Sequence, residues 1–199
     1  KSEQRALPTS IDPYQITARP YYNNWSGEIV NETSAFAHSA VLAAVSILAD
    51  SVASMPIEVV RNRGGKIENL PTPSVLLKPN DRQTMFDFIH QTMLTLTIHG
   101  NAYIYAPRGS NGLPVEMRNI HPNAIKNITD TDTSETFYQI GKEQFSSDDI
   151  IAIHWMILPN HKKGLSPLET MRNTIGMGLA MDRFLAQFYG EGATPSSVL

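Results

Sequence analysis

The sequence predicts an α+β fold: helices packed on antiparallel strands, followed by one long closing helix. Three observations carry this. Two stretches before residue 100 repeat their apolar residues at the helical period. Between residues 101 and 156 the period falls to two. From Ser166 to about Tyr189 the helical period returns.

The chain has 199 residues, enough for one domain or two small ones. Its net charge of -3 argues against a protein that grips nucleic acid over a broad basic face, but not against one that lets nucleic acid pass. With no cysteine there is no disulfide framework, thiolate metal site or cysteine nucleophile. No run of about 18 apolar residues reads as a membrane span. The opening KSEQRALPTS lacks the apolar stretch of a signal peptide.

Residues 1–33 read as a polar, irregular arm with Pro8, Pro13 and Pro20. Its aromatics Tyr21, Tyr22 and Trp25 either dock on their own domain or reach a neighbouring subunit. Thr33 or Ser34 is expected to cap a helix running to about Ser54, with Val41, Leu42, Val45, Leu48, Ala49 and Val52 on one stripe and Pro56 beyond its end. PIEVVR and KIEN read as a hairpin around Asn62, Arg63, Gly64 and Gly65. A connector from Pro71 to Pro79 carries the apolar bump Val75, Leu76, Leu77. Asn80 or Asp81 then leads into a helix from about Thr84 to His99, closed by Gly100. NAYIYAPR and PVEMRNIH flank the turn 109–112, and AIKNITD and ETFYQI flank the turn 131–134. Phe145 and the polar 146–149 precede a buried strand, IIAIHWMI.

The closing helix starts with Ser166 as cap, Pro167 in its first position and Glu169 three residues after the cap. Projected at about 100° per residue, Leu168, Met171, Ile175, Leu179 and Leu185 fall on one side. Met177, Met181, Phe184 and Phe188 fall on the other, with Glu169, Arg172, Asn173, Arg183 and Gln187 between. Two apolar faces predict two surfaces to pack against, both within its own domain or one on a neighbouring copy. Gly176 and Gly178 weaken a helix by about 1 kcal/mol each, which points to a close backbone approach. The last residues, Pro195 to Leu199, read as the start of a strand without its partner, as in an excerpt of a longer chain. The expected units are an arm (1–33), an α+β body (34–160), and the closing helix with the start of the next segment (161–199).

The tests for chemistry return no catalytic, cofactor-binding or metal-binding assignment. His38, His90, His99, His121, His154 and His161 include no zincin spacing, and His154 reads as a hydrogen-bonded strand histidine. A calcium loop counted from Asp130 needs Gly at its sixth position and Glu at its twelfth, where Glu135 and Gly141 stand. There is no P-loop, nucleophile elbow or dinucleotide fingerprint. Asp148 and Asp149 read as a solvated turn, and His161, Lys162 and Lys163 as a small basic loop.

Four blocks in order resemble phage portal proteins of the HK97 type: SAVLAAVSILADSVASMPIEVVR (39–61), LTIHGNAYIYAPR (96–108), IIAIHWM (150–156) with GLSPLE (164–169), and FYGEGATPSSVL (188–199). Glu191 and Thr194 depart slightly from the pattern. The resemblance implies a homo-oligomeric ring, usually of about twelve copies, at one capsid vertex. Double-stranded DNA would pass in and out through it. Its partners would be the major capsid protein, the large terminase subunit that carries the ATPase, and a head–tail adaptor. It implies a location in the virion, and in the host cytoplasm during assembly. It also implies no enzyme activity and no cofactor. Residues 34–160 would be mainly wing and 166–189 a stem-type helix, with the clip, second stem helix and crown mostly past Leu199. Two other readings compete. One is a small metal-assisted hydrolase drawing on His90, His99, His121, His154 and Asp149, which stoichiometric bound zinc or manganese would favour. The other is a shorter head–tail connector, which should lack the four blocks.

Overall fold

Gly100, where the sequence period changes, is where the chain passes from helix to sheet. The computed structural model describes residues 22–129 and 136–191, and over them the chain is α+β, with antiparallel sheets and a long last helix. The turn at 131–134, Asp130, Asp132, Tyr21 and the segment after Glu191 lie outside the described residues.

The described end of the expected arm is not irregular. Strand β1 (Tyr22–Asn23) pairs with β2 (Ile29–Val30). Asn24 makes the turn: its Oδ1 accepts from the backbone N–H groups of Ser26 (3.1 Å) and Glu28 (3.2 Å) and from the Ser26 hydroxyl (2.6 Å). Val30 enters the helical core, but Trp25 at the tip is 88% exposed and does not dock on its own domain.

The helix expected from 33 or 34 to 54 is two helices, α1 (Glu32–Ala37) and α2 (Ser39–Ala53), separated by extended His38. Its cap is Asn31. The Asn31 side chain accepts the Ser34 N–H and the Ser34 hydroxyl accepts the Asn31 N–H, both at 2.9 Å. Ser34 therefore answers the cap from the third helical position instead of being the cap. Strands β3 (Val60–Arg63) and β4 (Lys66–Asn69) form a solvent-exposed hairpin whose turn is only Gly64 and Gly65, both at positive φ, as a two-residue connection requires. The apolar bump is a single-turn helix, α3 (Ser74–Leu77).

Helix α4 (Met85–His99) has the predicted extent. Thr84 and Asp87 cap it reciprocally, and Gly100 ends it at φ 67°. Asn80 does not start it but donates to the Met117 carbonyl at 2.9 Å. Strand β5 (Asn101–Tyr105) follows and is the centre of a sheet, with β6 (Arg118–Ile120) on one side and β10 (Ile150–His154) on the other. A second sheet joins β7 (Ile125–Thr129), β8 (Thr136–Ile140) and β9 (Glu143–Ser146). Strand β9, around Phe145, was not predicted, because one apolar residue in four gives no alternation to read.

Every β5 residue is buried, because both faces of the strand are covered. Tyr103 and Tyr105 point with Ile120 and Ile150 into a core shared with Ile125, Tyr138, Ile140 and Phe145 of the second sheet. Ile104, one step out of phase, packs with Phe88 of α4 and Val75 of α3. A third core gathers Val30, Ala35, Val45 and Ile98 with Leu168 and Ile175 from the closing segment.

That segment is not one continuous helix. Ser166 caps α5 (Pro167–Thr170), accepting the Glu169 N–H at 3.3 Å, as predicted. The backbone then breaks at Met171 before α6 (Arg172–Gly190). Leu168 and Ile175, on either side of the break, lie in the same core.

Candidate functional site

The closing segment is fastened to the sheet by one side chain. Asn101 opens β5 opposite His154 of β10. Its Oδ1 accepts from the Gly164 N–H (2.8 Å) and meets His154 Nδ1 (2.8 Å). Its Nδ2 donates to the carbonyls of His99 (2.9 Å) and Gly164 (3.0 Å). His154 is thus a hydrogen-bonded strand histidine as expected, and burial pushes its pKa down. The backbones cross so closely here that a Cβ on Gly164 would strike the carbonyls of Trp155 and Gly100, and one on Gly100 would strike that of Leu165. Trp155 N–H donates to Gly100 at 2.9 Å, and the Ser166 hydroxyl to Ile98 at 3.3 Å.

Helix α6 leaves this joint with the two faces read from the sequence. Ile175 is buried, and Leu179 packs partly into the same core. Gly176 lies directly on the Asn24 amide and Gly178 on the His38 ring, so the approach anticipated for this glycine pair is close but comes from side chains and not from another backbone. From Met181 to Glu191 every residue is exposed. Met177, Met181 (65% exposed), Phe184 (64%) and Phe188 face solvent, with Phe184 and Phe188 stacked at 6.2 Å. Met171 and Leu185 of the other predicted stripe are exposed too. Arg183 reaches back to Glu28 at 2.7 Å.

Of the five residues weighed for metal chemistry, only His99 and His121 meet. They do so over Glu32, which the sequence reading did not single out. Glu32 Oε1 is 3.0 Å from His99 Nε2 and 3.2 Å from His121 Nε2, and the two rings meet edge to face at 4.9 Å. These hydrogen bonds, His121's first, hold the Glu32 carboxyl far below the usual range against the opposing effect of burial. His90 instead pairs with Asp50 at 3.3 Å. Asp149 caps the sheet edge through its carbonyl, which accepts the Ala106 N–H. The loop holding His161, Lys162 and Lys163 is exposed. No signal in the sequence joins Glu32 to residues 67 and 89 positions further on.

A family model for phage portal proteins matches residues 39–199. The chain belongs to the phage portal protein family. A probable portal protein of Streptomyces phage phiC31 is 32% identical over 190 residues, covering 87% of this chain and 41% of the phage protein. Among solved structures, a chain in the neck of an empty gene transfer agent particle has a TM-score of 0.68 at 19% identity, covering 83% of this chain and 46% of that one. An HK97-family phage portal protein from Corynebacterium diphtheriae has a TM-score of 0.60 at 18% identity, with coverages of 81% and 51%. At these identities the structural likeness is one of fold. This portal-family chain spans about two-fifths of the curated relative's length. Its second sequence block is the last turn of α4, Gly100 and β5 with Asn101; its third is β10, then Gly164, which Asn101 holds, and α5. The fourth block runs past Glu191, out of the described residues.

Proposed function

We propose that this chain is the wing and first stem-type segment of a portal subunit. Residues 34–160 form the wing-like body, preceded by an arm. The segment 161–199 leads towards the clip. Identical subunits close into a ring at one capsid vertex, and double-stranded DNA enters and leaves through it. The ring is the platform for the large terminase subunit and the head–tail adaptor, seated among copies of the major capsid protein. It acts in the virion and, during assembly, in the host cytoplasm.

The observation that carries this is the α6 face. Over the described residues Met177, Met181, Phe184 and Phe188 lie in water, and a ring, whose subunits show different surfaces forward and back, can cover them. A conduit must also let its cargo slide. Each neutralised phosphate adds counterion-release affinity, so a chain of net charge -3 suits passage better than retention. The role needs no covalent chemistry from this chain.

The test is electron microscopy of the full-length polypeptide beside its Phe184→Asp/Phe188→Asp variant. The expected result is rings from the parent and folded, unassembled subunits from the variant. Rings at normal yield from the variant overturn the assignment of the face. A parent that stays solitary at high concentration overturns the ring.

A further inference from the structure

We propose that Glu32, His99 and His121 form a binding site for one divalent transition-metal ion of the zinc class. The site stands apart from the ring reading and does not depend on it. Its residues come from three elements: the first turn of α1, the last residue of α4, and the residue after β6.

The geometry is close to that of a loaded site. Each residue offers one ligand atom, and the three lie within 4.8 Å of one another. Bonds of about 2.0–2.1 Å to a tetrahedral zinc ion place neighbouring ligand atoms roughly 3.3 Å apart. Glu32 Oε1 stands 3.0 Å from His99 Nε2 and 3.2 Å from His121 Nε2, so two of the three ligand pairs already have that spacing. Two imidazoles and a carboxylate suit zinc, and also iron or nickel. Calcium and magnesium call for more oxygen ligands. The histidine side chains are mostly buried while the carboxylate is partly exposed, so water can supply a fourth ligand.

A purely hydrogen-bonded cluster has similar distances, and one contact separates the two states. The Asn123 N–H donates to His121 Nδ1 at 3.2 Å. The metal-free neutral ring therefore carries its proton on Nε2 and donates it to Glu32. An imidazole that binds metal through Nε2 must carry the proton on Nδ1. Loading moves the His121 proton from Nε2 to Nδ1, with none released from the neutral ring, and breaks the Asn123 contact.

The test is a titration of the untagged, chelator-stripped protein with Zn(II) by calorimetry, and with Co(II) by visible absorption, while the Asn123 amide is followed by NMR. The expected result is saturable binding of one ion per chain, tetrahedral Co(II) bands, and an Asn123 resonance that shifts in step with loading. Glu32→Gln, His99→Gln and His121→Gln should each weaken binding at least about tenfold. His90→Gln and His161→Gln should leave it unchanged. Absence of saturable binding to the parent protein overturns the proposal without reference to any variant. So does binding that survives all three ligand substitutions, or an Asn123 amide that stays put on loading.

Discussion

Asn101 has more to lose than its size suggests. It is itself buried and satisfies two carbonyls, one backbone N–H and a histidine. Each buried group left unpaired costs about 1–3 kcal/mol. Asn101→Ala should therefore cost at least about 3 kcal/mol in urea unfolding, well above a typical point substitution. The neighbouring glycines give a sharper contrast. Gly164→Ala drives a methyl into two backbone carbonyls and should cost about 3 kcal/mol. Gly178→Ala meets only the end of the His38 side chain, which can swing away, and gains about 1 kcal/mol of helix propensity. It should leave stability within about 1 kcal/mol of the parent, and thermal melts of the two variants decide the matter. The sequence marked Gly100 as a helix stop and Gly164 as part of a block. That the two backbones touch depends on strand pairing, which local pattern does not encode.

Glu32 sets an acid limit on the same scale. Its folded pKa lies below the ordinary 4.5, so its contribution is fully present above the unfolded value and is lost as pH falls below about 4.5. Allowing for its partial exposure, the contribution at neutral pH is about 1 kcal/mol. Glu32→Gln should lower stability at neutral pH by that amount and flatten the acid side of the stability curve. Parent and variant should converge in acid. Curves that stay parallel down to low pH would show that the carboxylate gains nothing from its histidines.

At the level of elements, helix α6 is two objects in one. Its first turns are packed on the body. Its last turns are exposed, and Arg183 ties them to Glu28. In a solitary chain the amides after about Phe184 should exchange nearly as fast as a frayed helix end, while those near Ile175 stay protected. In an assembled ring the whole helix should be protected, and exchange mass spectrometry reads both. The two faces were legible because side-chain period survives whatever the helix packs on. The break at Met171 was not, since methionine is a good helix former and only the joint beneath explains it. Capping was legible at Ser166, where Pro167 and Glu169 mark the first turn, and was misread at Thr84, where Asn80 or Asp81 was expected to start the helix. It was also misread at Asn31, where three candidate caps, Asn31, Thr33 and Ser34, lie within four residues and only the geometry selects one.

At the scale of the whole molecule, two of the three cores meet along β5, and the third joins the helices to the closing segment through Ile98, just before that strand. The α+β class was legible because the period changes once, at Gly100, and changes back near Ser166. What the sequence left open was which helix face would find a partner within the chain. The structure leaves the Phe184 side uncovered, so the twofold Asp substitution should change assembly and hardly touch the melting of the subunit. Surface changes of this kind usually stay within about 0.5 kcal/mol.

The seating of Gly176 and Gly178 carries a mechanical consequence. Two residues along a helix are about 200° apart, so Asn24 and His38 press on α6 from nearly opposite sides. A rod gripped that way resists both sliding and spinning, which leaves tilt as its easiest motion. A sideways force on the exposed end of α6 would become torque on the β1–β2 turn and the α1–α2 break, at the far end of the lever.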